Sequence, residues 1–302
     1  MKTEVLDSQK WTLEDRKRRE TRTIMFLLPT LIVMFGVGIM PLMTVVNYSL
    51  HILFSGTIPH FNGLQNYYQA LRDPAFMSAI GKQFIFTALI LVIQIPLGVA
   101  LGMTLPEKGP WVGVILVLLG IPLLIPWNVV GIIWRIFTRP DIGVVTKVLE
   151  KIGLAYNVAK IPGHAWWTTV IMDTWHWTPL IILLTFAGLR AIPPEFYQAA
   201  RVDSASRWAI FRYITLPKLK HVLIIAVLLR VMDSFRIYDE VFILTAGGPG
   251  STTLFMSHYT TRQVVGGFDL GYGSAISVIY YIIVMIMCFL LYTAMMKVGQ
   301  ER

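Results

Sequence analysis

The sequence predicts an all-α membrane protein with six transmembrane helices and both termini in the cytoplasm. Three observations carry that prediction. Apolar residues make up 55% of the 302 residues and charged ones only 14%, with a mean hydropathy of +0.63, whereas a soluble domain averages nearer a quarter charged. Six apolar stretches, at about 24–50, 80–105, 111–137, 166–188, 219–245 and 274–298, are long enough to cross roughly 30 Å of hydrocarbon. The net charge of +9 lies in short segments between those stretches. That is the pattern of topology determinants and not of a nucleic-acid groove.

The first stretch follows a hydrophilic segment, residues 1–23, that carries acids as well as bases. It is longer than a signal-peptide core and has no small-x-small cleavage site, which predicts a retained span. Pro29 and Pro41 fall in the first stretch, Pro96 in the second, Pro122 and Pro126 in the third and Pro179 in the fourth. Neighbouring helices satisfy the carbonyls that such prolines free, so this number of kinks suits a bundle around a cavity. Trp111, Trp127, Trp134, Trp166 and Trp167 fall where amphipathic rings favour a membrane–water interface. The one cysteine, Cys288, excludes an intrachain disulfide.

Lysine and arginine set the orientation. The leading segment holds Lys2, Lys10, Arg16, Lys17, Arg18, Arg19 and Arg22. The loop after the fourth stretch holds Arg190, Arg201, Arg207, Arg212, Lys218 and Lys220, and the tail adds Lys297 and Arg302. The opposite loops hold Arg72 with Lys82, and Arg262; this bias puts the termini in the cytoplasm. The third loop, with Arg139, Lys147, Lys151 and Lys160, is more basic than that rule prefers.

Charge within a span costs about 2.5–3.5 kcal/mol at the bilayer centre, yet the fifth stretch holds Arg230, Asp233, Arg236, Asp239 and Glu240. Spacings of three and four allow Arg230–Asp233, Asp233–Arg236 and Arg236–Glu240 pairs along one helix. Two readings stand side by side. In one the residues form a structural charge network. In the other Asp233 and Arg236 bind solute hydroxyls while Phe235 or Tyr238 stacks on the solute, with Asn128 and Trp175, near Asp173 and His176, completing the path. The six histidines form no H-E-x-x-H and there is no G-x-S-x-G, so nothing favours an intramembrane enzyme.

The segment LRAIPPEFYQAARVDSASRWAIFRYITLPKLK, from Leu189 to Lys220, differs from its surroundings. Pro193 and Pro194 open a helix, and Glu195 sits at the positive end of its dipole. Phe196, Ala199 and Ala200 share a face. Asp203 and Ser204 read as N-caps of a second helix, lined by Trp208, Phe211 and Thr215 and stopped at Pro217. Two short amphipathic helices of this kind fill a groove in another protein or rest on lipid headgroups.

Gln198-Ala199-Ala200, then Val202-Asp203-Ser204-Ala205, then Trp208, Phe211 and Ile214-Thr215-Leu216-Pro217 resemble, in order, the EAA loop of binding-protein-dependent ABC importer permeases of the maltose and glycerol-phosphate type. FILTAGGPG from Phe242, LGYGSA from Leu270, IFTRPDIGVV from Ile136 and WHWTP from Trp175 are similar to the same family, so the likeness covers most of residues 80–298. Gln198 replaces the family's first glutamate, leaving Glu195 as the nearby acid. Ser204 replaces its glycine and is less free to adopt positive φ, which predicts a turn capped by Asp203 or Ser204 instead.

The resemblance implies a bacterial inner-membrane permease domain over 24–298, with a cytoplasmic coupling loop over 189–218. Glu195, Gln198, Ala199, Ala200, Arg201, Asp203, Ser204 and Ala205 would engage an ATPase. It implies a second homologous permease, two cytoplasmic ATPase subunits, a periplasmic solute-binding protein and surrounding lipid as partners. The chain has no G-x-x-x-x-G-K-[ST] phosphate loop, so ATP and Mg would belong to the ATPase, with no cofactor on this chain. The expected solute is a sugar, sugar alcohol, glycerol or glycerol phosphate, and the self-compensating charges of the fifth stretch favour a small neutral one. An ion-coupled secondary transporter with Asp233 or Asp173 as its acid is the alternative; it expects inverted repeats, and none is evident.

Overall fold

Proline or aspartate stands at the start of several helices in the computed structural model, which describes residues 13–54 and 56–300. Lys2 and Lys10 of the basic leading segment, and Arg302, lie outside the described residues. The first helix, α1 (Leu13–Met34), begins well before the expected span, and it continues through a widened turn, Phe35–Ile39, into α2 (Met40–Ser49). In that turn Met40 N–H donates to Phe35 O, five residues back. The widening moves the carbonyl of Val37 out of reach of the Pro41 ring, so the helix bends around the proline without stopping.

A two-stranded hairpin comes next, β1 (His51–Ile52) with β2 (His60–Phe61), then α3 (Gln65–Arg72) and α4 (Pro74–Thr104). Asp73 caps α4, its Oδ1 accepting from Ala75 N–H at 2.8 Å. Beyond α4 the chain forms α5 (Val112–Leu124), α6 (Trp127–Phe137), α7 (Val144–Lys151) and α8 (Pro162–Arg190). Ile125 is extended (ψ 126°), as a residue before proline prefers, and α5 and α6 meet at 91°.

The cytoplasm-assigned loop forms α9 (Pro194–Val202) and α10 (Arg207–Ile210), and a second widened turn, Phe211–Thr215, leads into α11 (Leu216–Ser234). The chain ends with α12 (Asp239–Thr245), α13 (Met256–Thr261), a third widened turn at Arg262–Gly266 and α14 (Leu270–Gln300).

Among the described residues four helices are long and apolar enough to cross a membrane: Thr23–Ser49, Pro74–Thr104, Pro162–Arg190 and Leu270–Met296. The bent pair α5–α6 makes a fifth candidate, so the expected proline-kinked span at 111–137 is two helices. The expected span at 219–245 is also broken, after Ser234. Arg236 and Asp239 are exposed while Arg230 and Glu240 are buried. The break turns the first pair outward and the second inward.

Helix α4 lies against α8 through Gly98 and Gly102. A Cβ on Gly98 would fall 2.5 Å from Ile181 Cγ2, and one on Gly102 would fall 2.9 Å from Thr185. Glycines four apart let two backbones approach where lipid supplies no hydrophobic drive. Gly131 does the same for α6 and α12: its Cβ would lie 2.7 Å from the Glu240 carbonyl. The central core packs Phe86 and Ile90 of α4, Met172 of α8, Val241 of α12 and Phe255. A second cluster joins Ala70, Phe76, Tyr259, Tyr272 and Ile276 at the far end.

Candidate functional site

The loop after α8 is built around a reversal at Ser204. Ala205 N–H donates to Ala200 O (2.9 Å) and Ser204 N–H to Arg201 O (3.1 Å), the paired bonds that close a helix through a left-handed residue. Ser204 has φ 53°, so this serine occupies the conformation expected of the family's glycine, and the expectation of a non-left-handed turn is corrected. The cap of the second helix is also corrected: Ser206 Oγ, not Asp203 or Ser204, accepts from Ala209 N–H at 3.2 Å.

Pro217 does not stop that helix. Leu216 N–H donates to Phe211 O, and the widened turn carries the helix from α10 into α11. Here the displaced carbonyl is that of Tyr213. Tyr197 Oη lies 3.4 Å from Thr215 Oγ1, and Lys218 Nζ lies 4.2 Å from the centre of the Phe196 ring. These contacts fold α9 against the second helix and bury Ala200. Glu195, Gln198, Ala199, Arg201, Asp203 and Ser204 are exposed and Ala205 half-buried. Val202 (85% exposed), Trp208 and Tyr213 also present apolar surface.

The second site lies within the bundle. Arg230, fully buried, donates to Asp173 (2.7 Å) on α8, to Gln94 (2.8 Å) on α4 and to Asp233 (2.9 Å) on its own helix. Gln94 Nε2 donates to the same Asp173 oxygen at 2.6 Å. The guanidinium carbon stands 4.7 Å from the centre of the Trp177 ring. The five N–H donors of an arginine allow it to satisfy partners from three helices at once. Beside it, Asp173, His176, Trp177, Trp127 and Glu240 line a narrow cleft too tight to hold a water molecule. His176 is buried and its Nδ1 has no hydrogen-bond partner among the described residues.

The structure thus keeps the Arg230–Asp233 pair and replaces the other two expected pairs. Arg236, past the helix break, stands over the Trp127 ring at 5.4 Å. Phe235 packs edge-on against Phe84 and is buried. Tyr238 stacks on Phe242 and on His258 (4.6 Å). Asn128 and Asp239 border an open cavity of about 400 Å³ at the α5–α6 bend, and Trp175 lies against Trp134.

Residues 94–300 match the family of binding-protein-dependent transport system inner membrane components. The chain belongs to this family. The permease is 34% identical over 273 residues to the trehalose/maltose transport system permease protein MalF of Thermococcus litoralis, covering 89% of the chain and 92% of that protein. It is 32% identical over 238 residues to the trehalose transport system permease protein SugA of Mycobacterium tuberculosis, covering 76% and 73%. Its fold is that of the bacterial ABC transporter that imports alginate: TM-score 0.80 at 18% identity, covering 94% of the permease and 98% of that chain. The permease is a multi-pass inner-membrane protein of a carbohydrate-uptake family.

Gln94, Arg230's partnership with Asp173, and the Gly98–Gly102 contact are not among the expected site features. Periodicity pairs neighbours on one helix and is silent on partners 57 and 136 residues apart. The glycine contact did have a signal, the G-x-x-x-G spacing within an apolar stretch.

Proposed function

We propose that this permease is the membrane subunit of an ATP-driven importer for a small neutral saccharide. In this reading the chain crosses the membrane six times, with α5–α6 and α11–α12 as bent crossings and both termini in the cytoplasm. Loop 189–218 takes force from a separate ATPase through Glu195, Gln198, Arg201, Asp203 and the exposed Val202 and Trp208. A second permease, two ATPase subunits and a periplasmic binding protein complete the assembly, with ATP and Mg held by the ATPase.

The observation that carries this is the shape of the loop: two short helices closed by a tight reversal at Ser204, with the apolar side chains of Val202 and Trp208 left exposed. An amphipathic element that leaves such residues uncovered fits a groove in a partner. The solute path runs past Asn128, Asp239, Trp127, Arg236 and Tyr238 toward Asp233, whose side chain is partly exposed beside the buried Arg230. Phe235 has no part in it. Relatives described as trehalose and maltose permeases support a sugar over a glycerol phosphate.

The test is uptake of radiolabelled trehalose and maltose by the assembled complex in proteoliposomes. Val202→Asp is expected to abolish ATP-driven uptake while leaving the level and melting temperature of the permease unchanged. Uptake that persists without ATPase and collapses with an ionophore would overturn the reading and favour the ion-coupled alternative.

A further inference from the structure

Helix α7 has one face covered and one open. Thr146 is buried, its hydroxyl donating to the carbonyl of Thr138 at 3.1 Å, which fixes the helix rotation. That rotation leaves Val144 (64% exposed), Val148 (56%) and Ile152 (68%) as a bare row at i, i+4 and i+8, with Lys147 and Lys151 exposed beside it. Among the described residues no ion pair reaches Lys147, Lys151 or Lys160, whereas Arg139 is paired with Asp141.

The connection from α7 to α8 sets the depth of the segment. The ring of Tyr156 stacks on His164 at 4.4 Å and its hydroxyl lies 2.5 Å from Thr168 Oγ1, while Asn157 N–H donates to His164 Nδ1 at 3.0 Å. These bonds tie the chain just past α7 to the first two turns of α8, the level at which the exposed Trp167 stands. Tryptophan at the end of a spanning helix marks the headgroup layer.

We infer that α7 lies in the plane of the membrane interface, its valine–isoleucine row dipped among acyl chains and Lys147 and Lys151 on anionic lipid headgroups. An apolar row flanked by lysines is the composition that binds such a layer: the aliphatic lysine stems run over the acyl boundary while the ammonium groups reach phosphate. Charge complementarity selects lipid here, because the open cations border apolar side chains directly. It also accounts for a third loop more basic than topology requires.

The probe is an environment-sensitive fluorophore on the full chain carrying Cys288→Ser and either Val148→Cys or Glu150→Cys. The protein is reconstituted in phosphatidylcholine vesicles with or without phosphatidylglycerol. The Val148 label is expected to be quenched several-fold more strongly by lipids spin-labelled near the headgroup than by aqueous iodide, and the Glu150 label the reverse. Lys147→Glu with Lys151→Glu is expected to remove the difference between anionic and neutral vesicles, with the elution profile and helix content unchanged. Equal iodide quenching at both positions, or protection of Val148 only on adding the second permease or the binding protein, would overturn the inference.

Discussion

Arg230 and Asp173 meet at 2.7 Å with 0% and 2% of their side chains exposed, so α11 and α8 are joined by an ion pair that water does not reach. Two carboxylates share that one guanidinium. Removing either partner of such a pair leaves a buried charge without compensation.

Arg230→Ala is therefore expected to destabilise the permease by about 3–5 kcal/mol. Arg230→Met combined with Asp173→Leu, which removes both charges, is expected to recover much of that loss. Thermal unfolding of the detergent-solubilised single and double variants checks this; equal losses in both would refute it.

Gly98→Ala is expected to cost about 1–3 kcal/mol, because its methyl would lie 2.5 Å from Ile181 on α8. Gly113→Ala is the control, since nothing lies within 4 Å of its added Cβ. The two melting temperatures separate, Gly98→Ala falling and Gly113→Ala holding.

At the reversal after α9, Ser204 holds φ 53° against its own Cβ. Ser204→Gly relieves that and is expected to stabilise by ~0.5–1 kcal/mol. Ser206→Ala removes the cap of α10 and is expected to cost about 0.5–2 kcal/mol locally. Hydrogen exchange over residues 199–210 reads both, protection rising in the first variant and falling in the second.

Asp73 accepts from the hydroxyls of Tyr259 and Tyr272, tying the start of α4 to α13 and α14. Burial pushes its pKa up, but these hydroxyls and the amides of Ala75 and Phe76 outweigh burial and hold it below the ordinary aspartate value. A depressed folded pKa means the contribution is complete above the unfolded value near 3.9. It is lost as the pH falls through the folded value. The melting temperature is expected to drop below pH about 4. Asp73→Asn starts lower at neutral pH and loses less on acidification; parallel curves for the two proteins would argue against the clasp.

How much of the fold and the site is legible in the sequence depends on the range of the interaction. Apolar length and charge scarcity give the membrane class, and Pro126 marks the α5–α6 bend. The break after Ser234 carries no proline or glycine; it follows from where Arg236 and Asp239 end up in three dimensions, which composition does not encode. The loop motif locates α9 and α10 but misplaces the cap and the conformation of Ser204, because the aspartate and serine beside the turn look equally suited to capping. Pro217 reads as a terminator, since a standard helix admits no proline there. The widened turn that admits it depends on a hydrogen bond five residues long, which leaves no mark on residue spacing.

That widened turn has a mechanical consequence. Because the backbone never leaves helical geometry between Arg207 and Ser234, Trp208 at one end and Asp233 at the other lie on one continuous helical backbone ~42 Å along its axis. A load on the indole meets no break in the backbone hydrogen bonding at Pro217. It passes along the helix to the guanidinium that three helices grip, and the first break in the helical backbone comes only after Ser234, between Phe235 and Tyr238.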